Sequence, residues 1–143
     1  ALSDKNNIDY LNMSNVIKSG SMSVFSTETG WDGKKINNIF KYKILGLSVD
    51  FFREYFSVAY PNYVKIDVDG IEHLIIKGGT ETIKKIKSIL VEINDDYLEQ
   101  KNFVENFLVS NNFELYEKIS GSLTSNAAFK STHNQIWINK NGT

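Results

Sequence analysis

A chain of 143 residues, 41% apolar and 13% aromatic, has the length and composition of one packed domain and not of a disordered tail. Its basic and acidic side chains number 16 and 17, a net charge of −1, without the clustered excess of basic charge that a nucleic-acid surface needs. Having no cysteine, it can build no disulfide framework, thiolate metal site or thiol nucleophile; no apolar run approaches the ~20 residues that span a membrane and no signal peptide is visible, so a cytoplasmic location is expected.

Along the chain, Ala1–Leu11 reads as the tail of a strand, a turn at Lys5-Asn6-Asn7 and a short strand from Ile8 to Leu11. Asn12–Asn38 is dominated by Ser, Gly, Asn and Thr, which is loop chemistry; a loop of that length is expected to face a substrate or act as a lid, anchored by Phe25 and Trp31. Tyr42–Leu47 reads as a strand. Ser48 follows as a helix N-cap with Asp50 in the first turn, and Phe52, Tyr55 and Phe56 form one apolar helix face. Pro61 closes that segment before the apolar strand Tyr63–Val68.

A helix from about Ile71 to Lys77 should end at Gly78-Gly79 as its C-cap. Glu81–Lys87 reads as a short amphipathic turn or helix with Lys84, Lys85 and Lys87 on a solvated face. Ser88–Ile93 is a second near-continuous apolar strand. Tyr97–Asn111 is a long helix with Phe103, Val104, Phe107 and Leu108 on one stripe, and Phe113–Ile119 and Gln135–Asn139 are strands joined by a polar loop.

Two apolar strands separated by helices signal a parallel sheet. The expectation is therefore a single α/β domain over residues 1–143. Tyr63–Asp67 should lie beside Ser88–Ile93, with the 97–111 helix packed through Phe103 and Phe107. The last two strands should form an antiparallel pair at the edge of a mixed sheet.

The chemistry concentrates where the apolar strands end. Ligands of open α/β sheets bind outside the carboxyl ends of the strands, and Asp67, Asp69 and Glu72 follow one such end while Glu92 and Asn94 follow the other. Asp67 shares strand parity with Lys65. If the two strands are neighbours, Asp67, Glu92 and Asn94 converge. Such a set could hold Mg²⁺ or could raise the pKa of one carboxyl for general base work. The bland alternative is that the acids merely cap the next helix. His73 and His133 have no metal-ligand spacing, and His73 reads as surface or partly buried. There is no Gly-x-Gly-x-x-Gly and no Gly-rich phosphate loop.

Val64-Lys65-Ile66-Asp67-Val68-Asp69-Gly70-Ile71-Glu72, the helix to Lys77-Gly78-Gly79 and Ile89-Leu90-Val91-Glu92-Ile93 together resemble the second half of an FkbM-type S-adenosylmethionine-dependent methyltransferase. Weaker likenesses are Ala1-Leu2-Ser3-Asp4, Ser48-Val49-Asp50-Phe51-Phe52 and the closing Asn134-Gln135-Ile136-Trp137-Ile138. The resemblance implies a Rossmann-like methyltransferase sheet and methyl transfer to a hydroxyl of a small-molecule or glycan acceptor. It further implies Asp67 and Glu92 as catalytic groups, Ala1, Leu2, Ser3 and Asp67 at the cofactor, and Asp69, Glu72 and Asn134 on the acceptor side. By likeness to metal-dependent relatives, Asp67, Glu92 and Asn94 form a testable Mg²⁺ set.

The family's first strand, its Gly-rich cofactor loop and its second-strand ribose acid have no counterpart in this sequence. That implies an incomplete sheet with an exposed apolar edge beside Tyr63–Val68, open to association including homo-oligomers, and little activity for this chain alone. Two rivals remain: a haloacid dehalogenase-like phosphatase, whose Asp-x-Asp-Gly motif is similar to Asp67-Val68-Asp69-Gly70 and whose metal-binding acids Asp95-Asp96 could imitate, and a non-catalytic α/β interaction module.

Overall fold

A computed structural model describes residues 1–17, 22–120 and 129–141. The elements in chain order are β1 (Leu2–Ser3), β2 (Asn7–Met13), β3 (Ser23–Phe25), β4 (Phe40–Ser48), α1 (Val49–Tyr55), β5 (Tyr63–Ile66), α2 (Glu72–Gly78), α3 (Thr80–Ile83), β6 (Ser88–Asn94), α4 (Leu98–Ser110), β7 (Phe113–Ser120) and β8 (Thr132–Asn139). Most of the polar loop expected between Ile119 and Gln135 falls outside the described residues.

The α/β class is as expected, but the strands form two four-stranded sheets, ordered β1-β4-β2-β3 and β5-β6-β8-β7. The second holds the parallel pair, with Tyr63 opposite Ser88 and Ile66 opposite Val91. β8 lies antiparallel between β6 and β7, leaving β7 at the edge. Ile89, Val91 and Ile93 alternate inward from β6 and are buried, as the near-continuous apolar run requires. They join Ile75, Ile76, Val104, Leu108 and Trp137 in one core.

Helix α2 packs on β1 and β4 on one side and on β6 and α4 on the other. This layering explains Gly78, expected as a C-cap. A Cβ on Gly78 would lie 2.0 Å from the Ser3 carbonyl oxygen, so glycine is what lets the helix reach the β1 backbone. Gly79 is the C-cap of α2 as expected, its amide donating to the Ile76 carbonyl, and with φ −123° it leads directly into α3. Asp50 caps that second helix, accepting from the Glu81 and Thr82 amides at 3.0 and 2.8 Å and from the Thr82 hydroxyl at 2.6 Å. Ser48 caps α1 as expected, its Oγ accepting from the Phe51 amide at 3.3 Å.

Three further expectations are corrected. The segment Asn12–Asn38 is not one loop: β2 runs to Met13, β3 spans Ser23–Phe25, and Thr29 bridges Lys35. Phe25 does anchor it, buried with its ring against Gly46, whereas Trp31 is half-buried and stacks on Phe129 at 4.6 Å. The aromatic face of α1 covers no core, with Tyr55 69% and Phe56 55% exposed. Finally, Phe103 and Phe107 do pack against the core as expected, partly buried, but the deepest residues of α4 are Gln100, Val104 and Leu108, which puts a glutamine in the buried stripe.

Candidate functional site

Register decides which of the acids meet. Residues directly opposite on neighbouring strands share a face. Glu92 pairs with Asn134 on β8, and Lys65 pairs with Leu90, so the parity of Lys65 and Asp67 is that of Leu90 and Glu92. Glu92 and Asn134 therefore share a face, and Asp67, one residue past the end of β5, lies close enough for its charge to act on Glu92, so the three form a row across the carboxyl edge. The buried Val91, Gln135 and Trp137 point to the opposite face, under α4.

Within that row the charges are tuned by neighbours. Asp67 is exposed and paired with Lys65, Nζ to Oδ2 at 2.7 Å. The pairing raises the Lys65 pKa above its ordinary value. Glu92 is half-buried. Burial pushes its carboxyl above the usual value first, and the negative charges of Asp67 and Asp69 push it further, with Lys65 partly offsetting them. Glu92 is thus held basic for a carboxylate and remains reachable from solvent.

The other sequence candidates have different surroundings. Asp69 Oδ2 accepts from the Met22 and Ser23 amides at 2.6 and 3.1 Å, tying the turn after β5 to the start of β3. Glu72, expected on the acceptor side, is 1% exposed, its oxygens turned to the Val68 and Gly70 amides and to Gln100. Asn94 is buried and its Oδ1 caps the Asp96 amide at 2.9 Å. Ser3 is buried under Gly78, its hydroxyl donating to Asp4 at 3.2 Å. The Ala1 amino group donates to the Leu45 carbonyl at 2.8 Å. Leu2, by contrast, lines a groove of about 320 Å³ with Val49, Val64, Asp67, Val68 and Ile83.

His73 is buried, edge-on to Tyr97 at 5.6 Å, and burial lowers its pKa. His133 sits 3.3 Å from Asp95, which also pairs with Lys101 and Lys118. Among the described residues no group of three or more histidine, aspartate or glutamate side chains is arranged to hold a metal ion. The Mg²⁺ set has no support: Asp67 is taken by Lys65 and Asn94 by its own turn. The phosphatase reading fails on the same geometry, since Asp69 is committed to the β3 amides and Asp95 to three basic side chains.

The sequence model described as the methyltransferase FkbM domain matches residues 6–132. The chain belongs to the FkbM methyltransferase family. No curated protein and no solved structure gives a significant match. In this FkbM domain the match runs across both acid-bearing strand ends and the glycine turn between Asp69 and Ile71. No described helix is long and apolar enough to cross a membrane.

Sequence reasoning missed Gln100. Its signal was available: Gln100, Val104 and Leu108 recur at i, i+4 and i+8 on α4, so a glutamine occupies the buried stripe.

Glu72 gives a stability prediction. Burial pushes its carboxyl up to about 8 from an ordinary 4.5. Between those values the folded chain holds a proton that the unfolded chain has released, so stability falls as pH rises through this window. The expected slope attributable to Glu72 is at most ~1.4 kcal/mol per pH unit. Urea unfolding at successive pH values from 5 to 8 should show it as a difference between the native chain and Glu72→Gln; equal slopes would contradict it.

Proposed function

We propose that this FkbM domain transfers a methyl group from S-adenosylmethionine to a hydroxyl oxygen at the Asp67–Glu92–Asn134 edge, with Glu92 as the general base. The observation that carries the reading is Glu92: a solvent-reachable carboxyl with a raised pKa, opposite Asn134 in register and beside Asp67. A base is most effective when its pKa approaches the working pH.

The residues fit the cofactor in part. The apolar walls Leu2, Val49 and Val64 suit a flat adenine, and Asp67 supplies negative charge where the groove reaches the carboxyl edge. Among the described residues that line the groove, Asp67 is the one acid. When bound, the cofactor supplies an electrophilic methyl group on a sulfonium. Asn134 would orient the acceptor hydroxyl beside Glu92, and the Glu92 carboxylate would take the hydroxyl proton as the methyl carbon passes from sulfur to oxygen, its bond to sulfur breaking and S-adenosylhomocysteine leaving as a neutral thioether. Holding the reacting atoms in line supplies much of the rate. A polyhydroxylated acceptor such as a glycan suits this polar row.

We further read the second sheet as the second half of a Rossmann-like methyltransferase sheet. Among the described strands β5 pairs only with β6, and the groove follows its other edge along Val64–Val68. The face carrying Glu92 leaves Tyr63 72% and Ile138 41% exposed, although strands of parallel sheets are ordinarily covered on both faces. A further strand on β5 would complete the groove. Binding of S-adenosylhomocysteine, compared between this chain and a version extended upstream by a strand and a Gly-rich turn, tests the reading. Binding by the extended form alone supports it; binding by neither form refutes it.

A pH prediction follows from the charges. Replacing Asp67 by Asn removes a negative neighbour and leaves Lys65 unpaired near Glu92, so the Glu92 pKa should fall. The acid limb of the pH–rate profile should move to lower pH. An unmoved limb would mean that Glu92 is not the group being titrated.

A further inference from the structure

The ladder between β5 and β6 ends at Ile66 opposite Val91, one residue short of Asp67 and Glu92. Backbone pairing therefore does not set how the Asp67–Gly70 turn stands relative to the end of β6. A chain of buried hydrogen bonds spans that gap. Glu72 Oε1 accepts from the Val68 amide at 3.2 Å and the Gly70 amide at 3.4 Å, and its Oε2 accepts from Gln100 Nε2. Gln100 Oε1 accepts from the Asn94 amide at 3.0 Å, two residues beyond Glu92.

Glu72 and Gln100 are 1% and 2% exposed, and every one of their side-chain polar atoms is used in this chain. Among the described residues Glu72 has no basic partner. Burying an acid without one is costly, and an apolar pair of the same volume would pack at less cost. Neither side chain reaches solvent, so neither can meet an acceptor.

We infer that Glu72 and Gln100 are positioning residues: a buried brace, running from α2 through α4, that holds the Asp67 turn against the Glu92 strand end. The inference rests on the proposed function only for the purpose of the brace; its existence can be tested without any activity. The other ties on the turn do not reach β6. The Gly70 amide also donates to the Val68 carbonyl within the turn at 2.7 Å, Lys65 holds Asp67 from β5, and Gly70 lies against the Gly30 backbone. Asp69 accepts from the Met22 and Ser23 amides at the start of β3, so the spacing to β6 is left to the brace. Because Asp67 and Glu92 repel, freeing the turn lets them separate.

The test is amide hydrogen exchange and carboxyl titration by NMR on the chain itself. Gln100→Leu touches neither Val68 nor Gly70, yet exchange at both amides should accelerate by about tenfold or more, with Ile89 and Val91 unchanged. Glu72→Gln keeps the oxygen that serves Val68 and Gly70 but turns an amino group on Gln100 Nε2, so the Asn94 amide should loosen. The two substitutions together should do no more at Val68 and Gly70 than Gln100→Leu does. The Glu92 titration midpoint should fall in Gln100→Leu and stay in place in Val104→Ala, an apolar truncation on the same helix. Unchanged exchange at Val68 and Gly70, or an equal rise at Ile89 and Val91, overturns the brace. A Glu92 midpoint that moves equally in both variants does so too. Failure of the methyltransferase reading would appear instead as absent cofactor binding, with the exchange pattern intact.

Discussion

Glu92→Gln should lower the single-turnover rate of methyl transfer by about 10²–10⁴-fold, the range over which a positioned general base contributes. The substitution keeps the shape of the side chain and its place opposite Asn134 and removes only the capacity to take a proton. Half-buried Glu92 feels Asp67 and Asp69, so loss of its charge also relieves repulsion. The folded chain should therefore be no less stable than the native one. Acceptor affinity should change far less than the rate, because the proton moves only as the new bond forms. Single-turnover assays in a preparation competent for transfer, with urea unfolding as control, check both halves. A rate within about threefold of native would assign the proton to solvent and remove Glu92 from the chemistry.

Gly70→Ala should destabilise the fold by about 3 kcal/mol or more. Gly70 has φ +116°, a conformation that side chains rarely adopt. A Cβ there would lie 2.6 Å from both the carbonyl carbon and oxygen of Gly30 and 2.7 Å from the Trp31 amide nitrogen. These are backbone atoms, which no rotamer change can move aside. The 29–35 bridge would have to lift from the turn, and with it the seat of Trp31 on Phe129. The Asp69 bonds to the Met22 and Ser23 amides should weaken with it. Urea unfolding measures the loss, and a change below about 1 kcal/mol would show that the hairpin does not bear on the turn.

The second sheet was largely legible; in the first, the strands that became β1, β2 and β4 were legible but β3 and the pairing into a separate sheet were not, for a physical reason. β6 carries Ile89, Val91 and Ile93 into the core as one run long enough to read, and β5 ends in acids beside glycine, so the pair could be placed from sequence. β3 has three residues, too few to show a period of two, and it lies among Ser, Asn and Gly that look like loop. The approach of α2 to β1 at Gly78, and the long-range strand pairing of the first sheet, are packing events that local sequence does not announce.

The acids show the same division. Their position at strand ends was legible, but their individual roles were not. Asp67, Asp69 and Glu72 fall within six residues, yet one faces solvent beside Lys65, one binds β3 amides and one is buried against α4. β5 ends at Ile66, and beyond it the partner atoms decide where each acid points. The aromatic residues of α1 carry helical periodicity and still cover no core, because periodicity names a face and not what packs on it.

The most direct measurement is an NMR titration of this chain with S-adenosylhomocysteine, followed through assigned backbone amides. With β5 paired on one edge only among the described strands, and Asp67 the one acid among the described residues lining the groove, affinity should be orders of magnitude weaker than micromolar, since each ~1.4 kcal/mol of lost anchoring is tenfold. At millimolar ligand the account predicts shifts confined to Leu2, Asp67, Val68 and Glu92, with the β7 edge unaffected. No shift at those residues, or shifts only elsewhere, would contradict the assignment of this edge to methyl transfer.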